Sequence, residues 1–324
     1  MKDILKLFGV GPAVRICLLT VPCFFFACRK TLHDSDTLTG GLIHVSSSDE
    51  FRYFLDAEID AFCMQYDSAH IIPRYGTEKD AIRLLVEDSV RFAIATRGPT
   101  EREAYLLSTK NLTVHKSVIA FDGVALVTGT VDSLLSLSTI RKILRGDITD
   151  WSEVNPDNHA GAIRILFDNQ HSGVFRYLID SLLEGNVGKI SPNFYSVGTA
   201  AEVIEKTSTH SGALGFVAFG YIAGVRGKFD DREVGNLRLV RVSKEDVATI
   251  ENSGLPYAGD LLSGRYPLWR SVYVLVSDPK AGLPTGFAVF IANQVGQKVI
   301  QKAGLLPITD AWNIPVEIIE EFGN

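Results

Sequence analysis

Short apolar segments alternate with helically spaced apolar residues, and this alternation constrains the fold of the chain more than any other feature. The apolar segments occupy residues 42–45, 70–72 and 92–95. Apolar residues at helical spacing follow over residues 51–66, over residues 81–86 and from residue 100 onward. Because no hairpin signal separates these segments, the sequence predicts an α/β domain with a mostly parallel sheet flanked by helices.

The same alternation continues through the rest of the chain. Residues 118–127 predict a segment that leaves one sheet and enters a second unit. Further strands are predicted at residues 163–167, 212–219 and 266–276, and helices at residues 174–183 and 287–301. A chain of 324 residues is long enough for two domains of roughly 150 residues each.

Composition and motifs exclude several classes of function. The chain is 46% hydrophobic and carries a formal net charge of −6 without a long basic stretch, so we expect a folded protein with no nucleic-acid partner. Neither a G-x-S-x-G turn nor an H-E-x-x-H pair occurs in the sequence. We therefore expect no cofactor, no metal and no enzymatic activity.

The first residues have the pattern of an export signal. Three basic side chains precede an uncharged segment, residues 16–28, which is too short to span a bilayer as a helix. The end of that segment, Ala27-Cys28, resembles a lipoprotein signal, which predicts a leader at residues 1–27, lipidation of Cys28 and a polar tether at residues 28–41. An ordinary leader with an incidental cysteine is the alternative. Cys63 would then be the remaining thiol, expected as a small buried residue.

Hydroxyl-bearing turns that follow strands are the candidate binding residues. They are Ser46-Ser47-Ser48, Gly76-Thr77 and His171-Ser172-Gly173. Free N–H groups at a helix start attract anions, and Thr96-Arg97 and Arg176 could add positive charge beside these turns. A single turn of this kind is usually just a helix cap, so several of them meeting at one crevice would be needed to indicate a binding site.

Six motifs in a fixed order identify a family resemblance. They are FDGVALV (121–127), RGDITDW (145–151), DNQHSGVFRYL (168–178), SGALGFV (211–217), YPLWRSVYVLV (266–276) and GQKVIQKAGLLP (296–307). Together with the leader, the chain resembles the PstS family of phosphate-binding proteins of ABC transporters, type II periplasmic binding proteins, in a Bacteroidetes-type lipoprotein form. The resemblance covers nearly all of residues 42–310.

The resemblance implies two α/β lobes with the ligand in the cleft between them. The first lobe would comprise residues 42–126 plus 266–324 and the second lobe residues 127–265, with crossings near 122–128 and 261–270. Carried over position by position, the family's ligand contacts fall on Ser47, Ser48, Asp49, Gly76, Thr77, Thr96, Arg97, Ser172, Gly173 and Val174.

Two positions depart from the family pattern. Val174 replaces a hydroxyl donor with a methyl group, and Asp168 stands where some members place an arginine. Arg97 or Arg176 could supply the missing charge, since a guanidinium can grip phosphate with two hydrogen bonds. Asp168 could instead accept the proton of a bound phosphate, which sulfate lacks.

The sequence therefore predicts a lipid-anchored, non-enzymatic solute-binding protein on the periplasmic side of a bacterial membrane. We expect a monomer that closes over phosphate or a similar oxyanion and then docks on an ABC transporter permease. Two alternatives stay open. One is a phosphoester hydrolase that uses Ser172 or Ser48, and the other is a surface interaction lipoprotein that has lost its ligand.

Overall fold

The computed structural model describes residues 36–129, 133–186, 188, 190–228 and 237–311. The strands are β1 (Gly41–Ser48), β2 (Ala69–Gly76), β3 (Phe92–Ala95), β4 (His115–Thr128), β5 (Leu134–Ser136), β6 (Arg164–Phe167), β7 (Phe194–Ser196), β8 (Ala213–Ala218), β9 (Arg238–Leu239), β10 (Arg241–Ser243), β11 (Ser253–Gly254), β12 (Trp269–Val276) and β13 (Leu306–Pro307). The predicted leader and Cys28 lie outside the described residues, as does most of the predicted tether.

Twelve α-helices separate these strands within the described residues. They are α1 (Arg52–Gln65), α2 (Glu78–Val86), α3 (Glu101–Thr109), α4 (Leu137–Arg145), α5 (Trp151–Val154), α6 (Gly173–Tyr177), α7 (Ala200–Thr209), α8 (Phe219–Lys228), α9 (Ala258–Leu262), α10 (Leu283–Ala292), α11 (Gln294–Lys302) and α12 (Ile308–Ala311). A π-helical turn, Leu178–Leu182, continues α6. None of the helices in this part of the chain is both long and apolar enough to cross a membrane.

The first lobe is built from the three units predicted at the start of the chain. Strand β1 lies between β2 and β3 and pairs with both in parallel. Helices α2 and α3 each begin with a capping box, in which a threonine hydroxyl accepts from the third backbone N–H of the helix. These caps explain why Thr77 and Thr100 end the loops that precede them.

Strand β4 joins the two halves of the molecule. Its first part, to Gly123, pairs antiparallel with β12, and its last part, from Val124, pairs antiparallel with β8. The second lobe continues with β6, which is parallel to both β7 and β8. The sheet is thus more antiparallel at its centre than the sequence predicted, because the crossing strands β4 and β12 run against their neighbours.

Each lobe has its own hydrophobic core. In the first lobe, Phe54 and Phe62 of α1 pack with Phe287 of α10, and Cys63 lies only partly buried beside them. In the second lobe, Trp151 is fully buried among aliphatic side chains, and its indole nitrogen donates to the Gly212 carbonyl at 3.1 Å. Trp269, in contrast, is 40% exposed and packs edge-on against the ring of Phe121.

Helix α1 buries one carboxyl group without a hydrogen-bond partner. Glu58 lies on the same helix face as Phe54, Leu55 and Phe62 and is fully buried. Neither of its carboxyl oxygens has a hydrogen-bond partner among the described residues. Burial raises the pKa of Glu58 to about 9, so the carboxyl group is protonated in the folded protein at neutral pH.

We predict that Glu58→Met stabilises the protein and that the gain grows with pH. A raised folded-state pKa contributes stability that is present below the unfolded value near 4.5 and is lost as pH rises toward about 9. Urea unfolding at pH 8 should therefore show a gain of about 2–4 kcal/mol, with a smaller gain at pH 5. Exposed Glu205→Met in α7 is the control; equal gains at both pH values would contradict the assignment.

Candidate functional site

The candidate site is a cleft of about 370 Å³ where strand-to-helix turns of both lobes meet. It is lined by Ser48, Asp49, Glu50, Arg52, Gly76, Thr77, Glu78, Asp80, Asp168, Asn169, Ser172, Gly198, Thr199 and Ala200. These residues end or follow β1, β2, β6 and β7, or they lie at the start of the helices after those strands. In an open α/β sheet, ligands bind at this carboxyl edge of the strands.

Strand register explains why distant turns meet in the cleft. Ser48 at the end of β1 pairs with Gly76 at the end of β2, so both strands stop at the same level. Thr77 then caps α2, and Ser172 caps α6 by accepting from the Phe175 N–H at 3.0 Å. The two hydroxyls therefore stabilise helix starts and also line the cleft.

Of the residues predicted from sequence, six line this cleft. They are Ser48, Asp49, Gly76, Thr77, Asp168 and Ser172. Ser47 does not, because its buried hydroxyl donates to the Ser48 carbonyl at 3.0 Å. The Val174 side chain packs into the core of the second lobe.

Asp168 has an unusual environment for a carboxylate. It is buried, and its Oδ1 accepts a hydrogen bond from the Ser172 hydroxyl at 2.5 Å. Burial, and then the nearby carboxylate of Glu50, raise the pKa of Asp168 to about 7. Asp168 can therefore accept or donate a proton near neutral pH. The same contact is one that a hydrolase with Ser172 as nucleophile would need.

The two arginines expected to balance the ligand's charge are both paired with carboxylates of the protein, Arg97 with Glu103 and Arg176 with Glu78. Arg97 donates to both carboxyl oxygens of Glu103 at 2.6 and 3.0 Å, and Arg176 Nε donates to Glu78 at 3.0 Å. Both arginines line a neighbouring cavity of about 270 Å³. In this conformation neither arginine lines the cleft that contains Asp168.

Glu78 also occupies the hydrogen-bond donors of Thr96. Its Oε1 accepts from the Thr96 backbone N–H at 2.6 Å and from the Thr96 hydroxyl at 2.5 Å. Burial works against ionisation of Glu78, but the charge of Arg176 and the hydrogen bonds from Arg176 and Thr96 outweigh it, and the pKa lies below its usual value. A carboxylate of the protein thus holds donors that sequence reasoning assigned to the ligand.

A buried charge cluster at the base of the two lobes was missed by sequence reasoning. Arg270 of β12 donates through Nη2 to Glu50 at 2.7 Å and to Asp122 of β4 at 2.9 Å. Asp122 also accepts from the Gly220 N–H at 2.9 Å, and burial raises the pKa of Asp122 to about 6 despite the opposing charge of Arg270. The available signal was a lone arginine within an apolar strand, in the motif YPLWRSVYVLV.

Gly173 lies in close contact with this cluster. A Cβ atom at Gly173 would lie 2.7 Å from Arg270 Nη1, 2.7 Å from Thr96 Oγ1 and 2.8 Å from Glu50 Oε1. The turn after β6 therefore lies against side chains from three other segments of the chain. Only glycine, which has no Cβ, leaves room for the backbone to come this close to them. Within the described residues, no group of three or more His, Cys, Asp or Glu side chains is arranged to hold a metal ion.

Two curated proteins are similar in sequence to this chain over most of its length. The phosphate-binding protein PstS of Bacillus subtilis is 21% identical over 287 residues, which is 87% of each chain. The PstS protein of Borreliella burgdorferi is 23% identical over 227 residues, covering 67% of this chain and 72% of its own. The resemblance to PstS proteins expected from the motifs is thereby confirmed.

Solved structures have the same fold. A substrate-binding protein from Clostridium perfringens, assigned to a phosphate ABC transporter and solved with bound phosphate, aligns with a TM-score of 0.66 at 20% identity, over 82% of this chain and 99% of its own. An ABC-type phosphate transport receptor from Vibrio cholerae aligns at 0.59 with 21% identity and the same coverage. The predicted two-lobed periplasmic-binding-protein fold is thus confirmed.

A family model covers most of the chain directly. The model of the PBP superfamily domain matches residues 33–295, which include the strands and turns that line the cleft. This match agrees with the fold and with the position of the cleft between strand ends. The chain therefore belongs to the PBP superfamily domain family.

Proposed function

We propose that this protein is the solute-binding component of an ABC importer and that it binds phosphate, or a closely related oxyanion, in the cleft. The observation that carries the proposal is the meeting of Ser48, Thr77 and Ser172 at one cleft, where strand ends and helix starts converge. The similar proteins from Bacillus subtilis and Vibrio cholerae are named as a phosphate-binding protein and a phosphate transport receptor. They support binding and transport rather than catalysis.

The acidic lining favours an oxyanion that carries a proton. Asp168 and Glu50 face the cleft as hydrogen-bond acceptors whenever they are ionised. A phosphate that keeps a proton can donate to such a carboxylate, whereas sulfate has only acceptor oxygens at neutral pH and is repelled. The hydroxyls of Ser48 and Ser172, which now donate to Glu50 and Asp168, would turn to the remaining oxygens.

Binding would be coupled to closure of the two lobes about β4 and the segment that leads into β12. The closed form would then dock on the membrane permease as a monomer. Contacts between the lobes support this hinge: the Lys79 N–H donates to the His171 carbonyl at 3.3 Å, and Arg176 reaches Glu78. The lobe limits proposed from sequence, 42–126 plus 266–324 and 127–265, stay a prediction.

A lipid anchor at Cys28 would hold the protein on the periplasmic side of a bacterial membrane. The support is the short apolar segment that ends in Ala27-Cys28. We expect labelled palmitate to be incorporated into the wild type and lost in Cys28→Ser, while Cys63→Ser keeps the label. Equal labelling of wild type and Cys28→Ser would contradict lipidation at this position.

Calorimetric titration of the purified protein tests the proposed function. We expect saturable binding of phosphate at pH 8 and at least a hundredfold weaker binding of sulfate, because one lost hydrogen bond to a charged group is compounded by charge repulsion. Asp168→Asn should reduce this selectivity tenfold or more. Binding of neither anion would favour an interaction protein, and turnover of a chromogenic phosphoester lost in Ser172→Ala would favour a hydrolase.

The selectivity should also depend on pH through Asp168. Since its pKa is about 7, the side chain is ionised at pH 8 and protonated at pH 5.5, where it becomes a donor that sulfate can use. The preference for phosphate should fall as the pH falls, and Asp168→Asn should reduce this change. The variant Asp157→Asn, at an exposed position, controls for the titration of phosphate itself. If selectivity changes with pH identically in the wild type, Asp168→Asn and Asp157→Asn, the proposed role of Asp168 is wrong.

A further inference from the structure

The residues that line the cleft offer many hydrogen-bond acceptors but few charged donors. Five carboxylates line it, and Arg52, the one guanidinium in the lining, is exposed and hydrogen-bonded to Asp49 at 2.9 Å. The sequence candidates Arg97 and Arg176 are held by Glu103 and Glu78 in the neighbouring cavity. An anion bound in the cleft would thus lie among acceptors without a free cation from these residues.

Arg270 has one guanidinium nitrogen without a hydrogen-bond partner. The residue is 5% exposed, and its Nε and Nη2 donate to Asp122 and Glu50. Its Nη1 is buried and has no partner among the described residues. A buried, charged donor without an acceptor is costly, so a native structure that keeps one calls for an explanation.

The free nitrogen points toward the turn predicted to bind the ligand. Nη1 lies 2.7 Å from the position of a Cβ on Gly173, next to Ser172. Thr96 Oγ1 and Glu50 Oε1 surround the same point at 2.7 and 2.8 Å. Glu50 and Ser172 on either side of this point both line the cleft, so Nη1 lies at its edge, where a small separation of the two lobes would expose it to a ligand.

We propose that Arg270 is the cationic ligand contact of this cleft and that Nη1 donates to an oxygen of the bound oxyanion. The inference rests on the proposed function. Glu50 and Asp122 are positioning residues, because they accept hydrogen bonds from Nη2 and Nε and hold the planar guanidinium in one orientation. Among the described residues, Nη1 is left without a partner. The ring of Phe51, whose centroid lies 5.5 Å from the guanidinium carbon, packs against the same group.

The cluster also sets what kind of anion can bind. Glu50 and Asp122 balance the charge of Arg270, so the contact offers a directed hydrogen bond more than net positive charge. A lysine at position 270 would keep a positive charge near both carboxylates but would lack the second nitrogen that faces the cleft. The Arg270→Lys variant therefore removes the proposed hydrogen bond to the ligand while it keeps the positive charge.

The test is calorimetric titration of the purified full chain with phosphate, comparing wild type, Arg270→Lys and Arg241→Lys. Arg241 lies in β10, which forms a separate three-stranded sheet with β5 and β11, and it donates to Ser253 there. Arg241→Lys therefore tests the same substitution at a site away from the cleft. We expect Arg270→Lys to lose about tenfold to a hundredfold in affinity, as for a hydrogen bond to a charged group. Arg241→Lys should bind within about threefold of the wild type.

Each outcome decides between the two proposals. If the wild type does not bind phosphate, the proposed function fails and this inference falls with it. If the wild type binds and Arg270→Lys binds equally well, only the role of Arg270 is overturned. If Arg270→Lys does not fold, judged by circular dichroism, a crystal structure of the phosphate-bound wild type decides: Nη1 within about 3.2 Å of a phosphate oxygen is expected, and its absence overturns the contact.

Discussion

The buried ion pair between Arg270 and Asp122 connects the two segments that pass between the lobes, and the rest of the site is arranged around it. Asp122 lies in β4 near the point where the pairing of that strand with β12 ends and its pairing with β8 begins. Arg270 lies in β12, and the Tyr266 hydroxyl just before that strand donates to the Val124 carbonyl at 2.6 Å. Removing one partner of such a pair leaves an uncompensated buried charge, so the hinge and the cleft share one electrostatic constraint.

An acidic cleft suits an oxyanion only if the ligand brings a proton and the protein offers well-directed donors. Asp168 and Glu50 supply acceptors, whereas helix starts and the hydroxyls of Ser48 and Ser172 supply donors. Net attraction is then weak, and selectivity comes from matching donors to acceptors. The same physics explains why Glu78 can hold Thr96 and Arg176, since a carboxylate offers oxygens much like those of the proposed ligand.

Much of the fold could be predicted because its signals are local. The spacing of apolar residues and the position of capping residues predicted β3 at residues 92–95 and the start of α3 after Thr100. Pairing direction is not local, so the antiparallel β4 and β12 at the centre were missed. In the site, hydroxyl turns were visible in sequence, but the partners of Arg97 and Arg176 depend on tertiary approach. Arg270 was read as part of a strand, because its role depends on Asp122, which is far away in sequence.

The proposed binding site depends on the close approach of the turn after β6 to Thr96, Glu50 and Arg270. Phosphate affinity of Gly173→Ala, measured by calorimetry, tests this most directly, because the added Cβ would lie within 2.8 Å of all three groups. Gly259→Ala in α9, where a Cβ meets open space, is the matched control. We expect at least a tenfold loss of phosphate affinity in Gly173→Ala and no change in Gly259→Ala. Wild-type affinity in Gly173→Ala would show that this close approach is not part of the binding site.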